Sequence, residues 1–506
     1  MVEALTEALG PGNMLFIAIG VLGGIMVGAL PGFTATMGTA LLLPFTFALP
    51  PAQGLAMLGA LYVAAMFADS VPACLVNTPG TPSAVATALD GFQMTLRGRG
   101  QEAIVASCFS AMIGTFVGGF TFLFVSGPLA DIALRFGPPE FFWIGIFAVT
   151  IIGGIAGDSL LKGIAGGALG MLVGTIGISA TGAISRYTFG IPELRGGVSI
   201  VAALIGIFAL PQILEMVKER KTKDTIASFE RRPGVARKTI AWIVRHPVNL
   251  LRSSVLGTFV GILPGAGSPV ASLMAYNEAR RWSRDRQSFG KGNIQGVIAS
   301  EAAGNSAAGG ALVPLVALGV PGSAPAAVIL GALLLQGVQP GPTFVTSQPD
   351  IVYGFAWSII IAGVVTWIAG SVLSGAIARM ILIPVRLLAP IVLFLSIVGA
   401  FAIRSSYVDV YLMLGLGFIV YLLAQIGFHP GPIGLGVILG PIVEPALVQS
   451  MAMAQASSNV EIFFGRPMSA ALVALTVISA LWVVWSNSKD RANRKNDVSE
   501  KSEVAG

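Results

Sequence analysis

Between Met14 and Trp485 the chain alternates long apolar runs with short polar connections, and most runs approach the ~20 residues a helix needs to cross a bilayer. The runs are continuously apolar rather than alternating, which predicts spanning helices and argues against a membrane barrel. On that criterion about ten to twelve crossings are expected. Several runs are interrupted where a helix would otherwise continue. The first interruption lies in Gly24-Ile25-Met26-Val27-Gly28-Ala29-Leu30-Pro31-Gly32-Phe33-Thr34, and the second in Gly257-Thr258-Phe259-Val260-Gly261-Ile262-Leu263-Pro264-Gly265-Ala266-Gly267-Ser268. Both read Gly-x-x-x-Gly-x-Leu-Pro-Gly. A proline inside a helix costs ~3 kcal/mol and each glycine roughly 1 kcal/mol relative to alanine, so these are breakers set in matching places.

A second pair of breaks follows the first. Val71-Pro72 and Pro79-Gly80-Thr81 align with Val313-Pro314 and Pro321-Gly322-Ser323 at one constant offset. Two motifs in the same order in both halves predict an internal duplication. The expected organisation is a first membrane repeat over 1–217, with broken helices near 31 and 79. A basic cytoplasmic loop follows at 218–252. A second repeat spans 253–486, with breaks near 264 and 321 plus scaffold helices, and a polar tail occupies 487–506. The stretch 253–278 lies between two basic clusters and is too short for two crossings, so it reads as a re-entrant hairpin with Pro264-Gly265 at its tip. The fold class is all-α, polytopic and duplicated, with Pro-Gly-broken helices.

Composition sharpens this picture. Of 506 residues 55% are hydrophobic and 11% charged, against about 25% charged in soluble domains, which excludes a water-soluble globule. The net charge of +6 is concentrated. Ten Lys/Arg against three acids fall between Lys218 and Arg252, and Arg280, Arg281, Arg284, Arg286 and Lys291 form a second cluster. Between apolar runs, such loops mark the cytoplasmic side rather than a nucleic-acid surface. Cys74 and Cys108 offer neither a disulfide framework nor metal-ligand spacing, and no phosphate-binding Gly-x-x-x-x-Gly-Lys-[Ser/Thr] occurs. Neither a cofactor nor a protein-bound metal is expected. Asp158 and Lys162 are one helical turn apart and read as a structural pair.

The chemistry sits at the breaks. A half-helix that starts inside a membrane exposes unpaired amides and the positive end of its dipole, which suits an anion without a buried Lys or Arg. Unwound backbone in an apolar chain must face protein or a wet cavity, and secondary transporters use such discontinuous helices for substrate and coupling ions. The candidate substrate-binding residues are Gly32, Thr34, Thr36, Asn77, Thr78, Gly80, Thr81, Gly265, Ser268, Asn305, Ser306, Gly322 and Ser323. Asp69 and Glu301 stand near the breaks, where an ionised acid costs on the order of 2.5–3.5 kcal/mol, and are the candidate handles for Na+ or H+.

At these residues the chain resembles a known family. The doubled signature, with Asn77-Thr78-Pro79-Gly80 and Glu301-Ala302-Ala303-Gly304-Asn305, is similar to the large membrane subunit of bacterial tripartite tricarboxylate transporters over roughly residues 14–450. The first copy departs from the second in having Thr34 where the second has Gly267. The resemblance implies a cation-gradient-driven importer of a small tricarboxylate or dicarboxylate in the bacterial inner membrane. It also implies a small membrane subunit and a periplasmic solute-binding protein as partners. The alternatives are an anion channel and, further off, an intramembrane protease. For the latter, Gly304-Asn305-Ser306 with His429 is a poor dyad because Ala307 replaces the glycine after the serine. The chain is therefore read as a transporter and not an enzyme.

Overall fold

The computed structural model describes residues 1–30, 32–155, 159–179, 184–218, 232–381, 383, 385–455, 458–481 and 483. Pro31, Asp158, most of the segment between Lys218 and Arg232, and the tail after 483 lie outside the described residues. The chain is almost entirely helical. It opens with α1 (Val2–Ala8), α2 (Pro11–Ala29), α3 (Ala35–Thr46), α4 (Pro51–Ala68), α5 (Ser70–Val76), α6 (Ala84–Leu96) and α7 (Gly100–Ala133). There follow α8 (Pro138–Ile155), α9 (Leu160–Gly174), a two-residue antiparallel ladder β1 (Gly177–Ile178) and β2 (Ser185–Arg186), and α10 (Ile200–Lys218). The next run is α11 (Val235–Arg245), α12 (Pro247–Ile262), α13 (Gly267–Trp282), α14 (Ile294–Leu318), α15 (Ala324–Leu335) and α16 (Pro342–Ser347). Then come α17 (Pro349–Met380), α18 (Val385–Arg404), α19 (Tyr407–Gln425) and α20 (Pro430–Ala454), followed by a shorter helix at Pro467–Leu481.

Among the described residues, eight helices are long and apolar enough to cross a membrane, and five further apolar helices are shorter. The breakers account for part of that difference from a simple count of apolar runs. They leave α3 and α15 with 12 residues each, about 18 Å at 1.5 Å per residue, against a hydrocarbon core of ≈ 30 Å. Part of the basic segment 218–252 is also helical, since α11 and the start of α12 fall within it.

Contacts divide the chain into two compact units. One comprises Met1–Leu134 with Ser199–Tyr421, the other Arg135–Val198 with Leu422–Gly506. The duplication lies inside the first. A methyl group added at Gly24 would stand 2.4 Å from the Leu61 carbonyl oxygen, and one at Gly28 2.4 Å from that of Ala65. In the second copy Gly257 meets the Ala303 carbonyl at 2.2 Å and Gly261 that of Ala307 at 2.3 Å. Both signature glycines therefore let α2 lie parallel against α4, and α12 parallel against α14, with backbones in contact. The pairs are related by the same two offsets that align the motifs.

The hairpin expected at 253–278 follows from the next contacts. Ser272 donates to the Ser300 carbonyl at 3.0 Å, while a methyl at Gly296 would meet the Tyr276 ring. Residue numbers thus rise along α13 as they fall along α14. Because α12 is parallel to α14 and α13 antiparallel to it, the chain reverses at 263–266. Gly265 there has φ +82 and its counterpart Gly32 has φ +83, values a side chain rarely adopts.

The helices after the second break of each half, α6 and α15, reach across to the other half. Thr87 of α6 meets Ser300 of α14 at 2.9 Å, and Ser323, just before α15, meets Tyr62 of α4 at 3.0 Å. Further along, Gln336 donates to the Thr46 carbonyl at 3.1 Å. The two halves are interlocked. The apolar window of α4 and α5 is accordingly 100% buried within the protein, so this span is central and does not face lipid.

One buried carboxylate fixes that interlock. Asp90, at 0% exposure, accepts the amides of Gly292 and Asn293 at 2.7 and 2.8 Å and the Tyr276 hydroxyl at 2.9 Å. It ties α6 to the start of α14 and to α13. Replacing it by alanine orphans three donors at ≈ 1–3 kcal/mol each, so Asp90→Ala is expected to lower stability by about 3 kcal/mol or more. A thermal melt of the purified protein in detergent that matches the wild type would show the three bonds to be dispensable.

In the second unit, glycines bring helices together as well. A methyl at Gly170 would meet the Ile433 carbonyl at 2.0 Å, and one at Gly436 that of Gly167 at 2.1 Å, so α9 and α20 pack backbone to backbone. Glu140 is buried on Arg466 at 3.1 Å and Ser469 at 2.7 Å. Lys162 donates to the Ile426 carbonyl at 2.5 Å.

Candidate functional site

Both Pro-Gly breaks are built in the same way. At the first, α5 ends in Asn77, whose left-handed backbone (φ 55, ψ 31) closes the helix, and the Thr78 amide turns back to the Pro72 carbonyl at 3.3 Å. At the second, α14 ends in Gly319 (φ 72, ψ 18), and the Val320 amide reaches the Pro314 carbonyl at 3.2 Å. Asparagine tolerates this conformation better than most residues, which is why it can stand where the other copy has glycine.

Each break then lies against the tip of its own half. Gly265 donates its amide to the Gly322 carbonyl at 3.0 Å, and Gly322 donates to Ala311 at 3.2 Å. At Gly322 a methyl would stand 2.5 Å from the Gly261 oxygen. The first copy is looser. At Gly80 a methyl would find Asp69 Cβ at 3.3 Å and the carbonyls of Gly28 and Phe33 at 3.4 Å.

Two buried carboxyls flank these joints. Asp69, 1% exposed, accepts from the Thr81 hydroxyl and from Ser83 at 3.4 Å, while Thr81 and Ser83 meet each other at 2.5 Å. Glu301, 4% exposed, accepts from Thr87 at 2.5 Å on Oε1, its Oε2 makes no hydrogen bond of normal geometry, and the Ser107 hydroxyl lies nearby. One turn on, Asn305 donates to the Glu301 carbonyl at 3.0 Å and its Oδ1 is unpartnered. Neither carboxyl forms an ion pair among the described residues, and the two lie within electrostatic range of one another.

The half-helix starts are not equivalent. Thr34 caps α3 by accepting from the Met37 amide at 3.2 Å, and Ser323 caps α15 by accepting from Ala326 at 3.3 Å. No side chain caps α6 or α13. Those two uncapped starts lie side by side. Thr87 and Ser272 both bond to Ser300, and Asp90 bonds to Tyr276, so α6 and α13 run parallel against α14. One turn before Thr87 and Ser272 come Ser83 and Ser268, level with Gly304 and Asn305. The Ser268 hydroxyl, 4% exposed, makes no hydrogen bond of normal geometry and lies beside the Tyr62 hydroxyl.

The sequence-derived residues therefore fall into groups. Asp69, Gly80 and Thr81 form one cluster; Gly265, Gly322 and Ser323 form another; Glu301 and Asn305 share a face of α14. The Gly32 position faces Met216 and Gln212 of α10 at 3.7–3.8 Å. Thr36 is half-buried in the first turn of α3 and Asn77 is exposed. Thr78 bonds to the Val76 carbonyl at 3.2 Å, and Ser306 to that of Ala303 at 3.1 Å. His429 caps α20 by accepting from Gly431 at 3.1 Å, so the polar atoms once paired as a dyad serve their own helices. Sequence reasoning singled out Ser83 with Thr81 after the first break but missed Tyr62 and Thr87 as neighbours of these groups. Ser83 and Thr87 recur four apart just after a break, the spacing of one helix face, and that signal was available.

Comparison with known proteins adds three findings. The family described as "Tripartite tricarboxylate transporter TctA family" matches residues 14–435. An Agrobacterium vitis protein described as "Uncharacterized 52.8 kDa protein in TAR-I ttuC' 3'region" is 33% identical over 473 residues, covering 92% of each chain. A second Agrobacterium vitis protein, described as "Uncharacterized protein in TAR-II ttuC' 3'region", is 34% identical over 225 residues, 44% of this chain and 92% of its own. No solved structure matches the chain.

Proposed function

We propose, because this chain belongs to the tripartite tricarboxylate transporter TctA family, that it is the subunit that moves a small tricarboxylate or dicarboxylate across the bacterial inner membrane. Membership makes it a multi-pass transporter subunit and not an enzyme. In the proposed mechanism the substrate arrives from a periplasmic solute-binding protein, a small membrane subunit completes the complex, and a cation gradient drives uptake. The observation that carries this reading is the pair of uncapped helix starts at α6 and α13. Their uncapped first-turn amides, with the Ser268 hydroxyl, supply donors to a carboxylate without any buried Lys or Arg, while Thr81 and Ser83 donate to Asp69. The matching starts of α3 and α15 each have one amide taken by a cap, Met37 by Thr34 and Ala326 by Ser323, which favours the uncapped pair as the anion site. Asp69 and Glu301 take the coupling cation. Glu301 Oε2 and Asn305 Oδ1 are oxygens one turn apart that accept no hydrogen bond of normal geometry, a fitting start for a cation shell, and a bound cation offsets the cost of ionised acids among apolar residues.

The test is uptake into proteoliposomes that hold the chain together with both partner proteins. A labelled tricarboxylate is expected to concentrate inside well above the external level when a Na+ or H+ gradient is imposed. Equilibration without concentration would identify a channel and end the coupled reading.

A further inference from the structure

We infer that α11 is an interfacial helix whose outer face holds the headgroup of an anionic phospholipid. The helix has two working faces. α11 docks on α7 with Thr239 and Ile243 buried, Ile243 in a cluster with Ala103, Ala106 and Leu250 against which Ile240 also packs. The other face carries Arg237, Ala241, Val244 and Arg245, which with Ile240 at its edge line a shallow, open surface hollow. Their spacing of 0, 3, 4, 7 and 8 residues is one stripe of a helix. An arginine stands at each end of the stripe, about 12 Å apart at 1.5 Å per residue, and the middle is apolar. Such a pattern matches phosphate at the rim and hydrocarbon at the centre.

Continuity with a lipid-facing stripe supports the assignment. The chain turns at His246 into α12, where Val248, Leu251, Val255 and Phe259 are all exposed, at 72%, 49%, 48% and 69%. These positions, three or four apart, form one exposed apolar row that begins just after α11 and runs toward the tip at Gly265. Acyl chains can lie on that row while the headgroup meets the arginines. At the same level the Arg252 guanidinium covers the exposed Trp282 ring at 5.7 Å, an arrangement suited to the membrane–water border. The counterpart in the first repeat, α1, docks on α17 as α11 docks on α7, yet it exposes Glu3 and Glu7. The basic face is therefore a property of α11 itself and not a requirement of the packing.

The experiment is native mass spectrometry of the detergent-purified full chain after incubation with equimolar phosphatidylglycerol and phosphatidylcholine. Wild type is expected to retain phosphatidylglycerol in preference, and Arg237→Gln/Arg245→Gln to lose that preference by roughly thirtyfold, about fivefold per cation near the surface. Arg237→Lys/Arg245→Lys should keep it, which separates charge from packing because both pairs alter the same exposed positions. Equal retention of the two lipids by wild type would overturn the proposal, as would an unchanged preference in the glutamine variant. So would shielding of Val244→Cys from a bilayer-confined thiol reagent by a co-purified small subunit, which would make the hollow a protein interface.

Discussion

Gly322→Ala is expected to reduce uptake by about tenfold or more, whereas Gly80→Ala is expected to retain most of it. The two glycines occupy equivalent places in the two repeats, so a family pattern alone would rank them equally. Their surroundings do not. A methyl at Gly322 meets the Gly261 oxygen at 2.5 Å and the Ala311 Cα at 2.7 Å, both backbone atoms held by packed helices. At Gly80 the nearest atoms stand at 3.3–3.4 Å, and a shift of a few tenths of an ångström suffices. Pushing Gly322 outward also strains the Gly265 to Gly322 hydrogen bond, which joins tip to break. Uptake and surface expression measured side by side in both variants decide the matter. Equal activity would mean that the second joint is no tighter in the membrane than the first.

Glu301→Gln is expected to abolish concentrative uptake, leaving an accumulation ratio near one, while substrate binding stays within about twofold. Glutamine keeps the shape and can still accept from Thr87, so the helix contact between α6 and α14 survives. What is lost is the negative charge and with it the response to the cation gradient. Asp69→Asn should behave alike, since Thr81 and Ser83 can still donate to the amide oxygen. Tracer exchange at equal substrate concentration should persist in both variants, because exchange needs the anion site but no net driving force. Normal accumulation by both variants would place the coupling ion elsewhere.

Much of this architecture was readable from residue order. The duplicated signature and the constant offsets reappear as matched helix pairs, and the polar stretch beginning at Ile294 is a single helix through Leu318. Breakers announce themselves because proline and glycine act locally, through a missing donor and a missing side chain. The partnerships did not announce themselves. Tyr62 and Ser323 are 261 residues apart, and nothing in either neighbourhood specifies the other. Thr34 and Ser268 illustrate the same limit. Both follow a Pro-Gly tip and both carry a hydroxyl, yet one caps its own helix and the other makes no hydrogen bond of normal geometry. The two stand one position apart in the repeat: Thr34 precedes α3 and can cap it, whereas Ser268 already lies in the first turn of α13.

The exchange of half-helices between repeats has a consequence for biogenesis. Thr87 must wait for Ser300, 213 residues later in the chain. At the ≈ 5–20 residues per second of translation, that is roughly 10–40 s in which α6 sits in the nascent chain with no α14 to receive it. Through that interval Thr87 and Asp90, whose partners lie in the second repeat, need a temporary host, either water in the insertion channel or a holding chaperone. The first repeat is thus committed to an unfinished state until the second emerges from the ribosome, and neither half can mature alone.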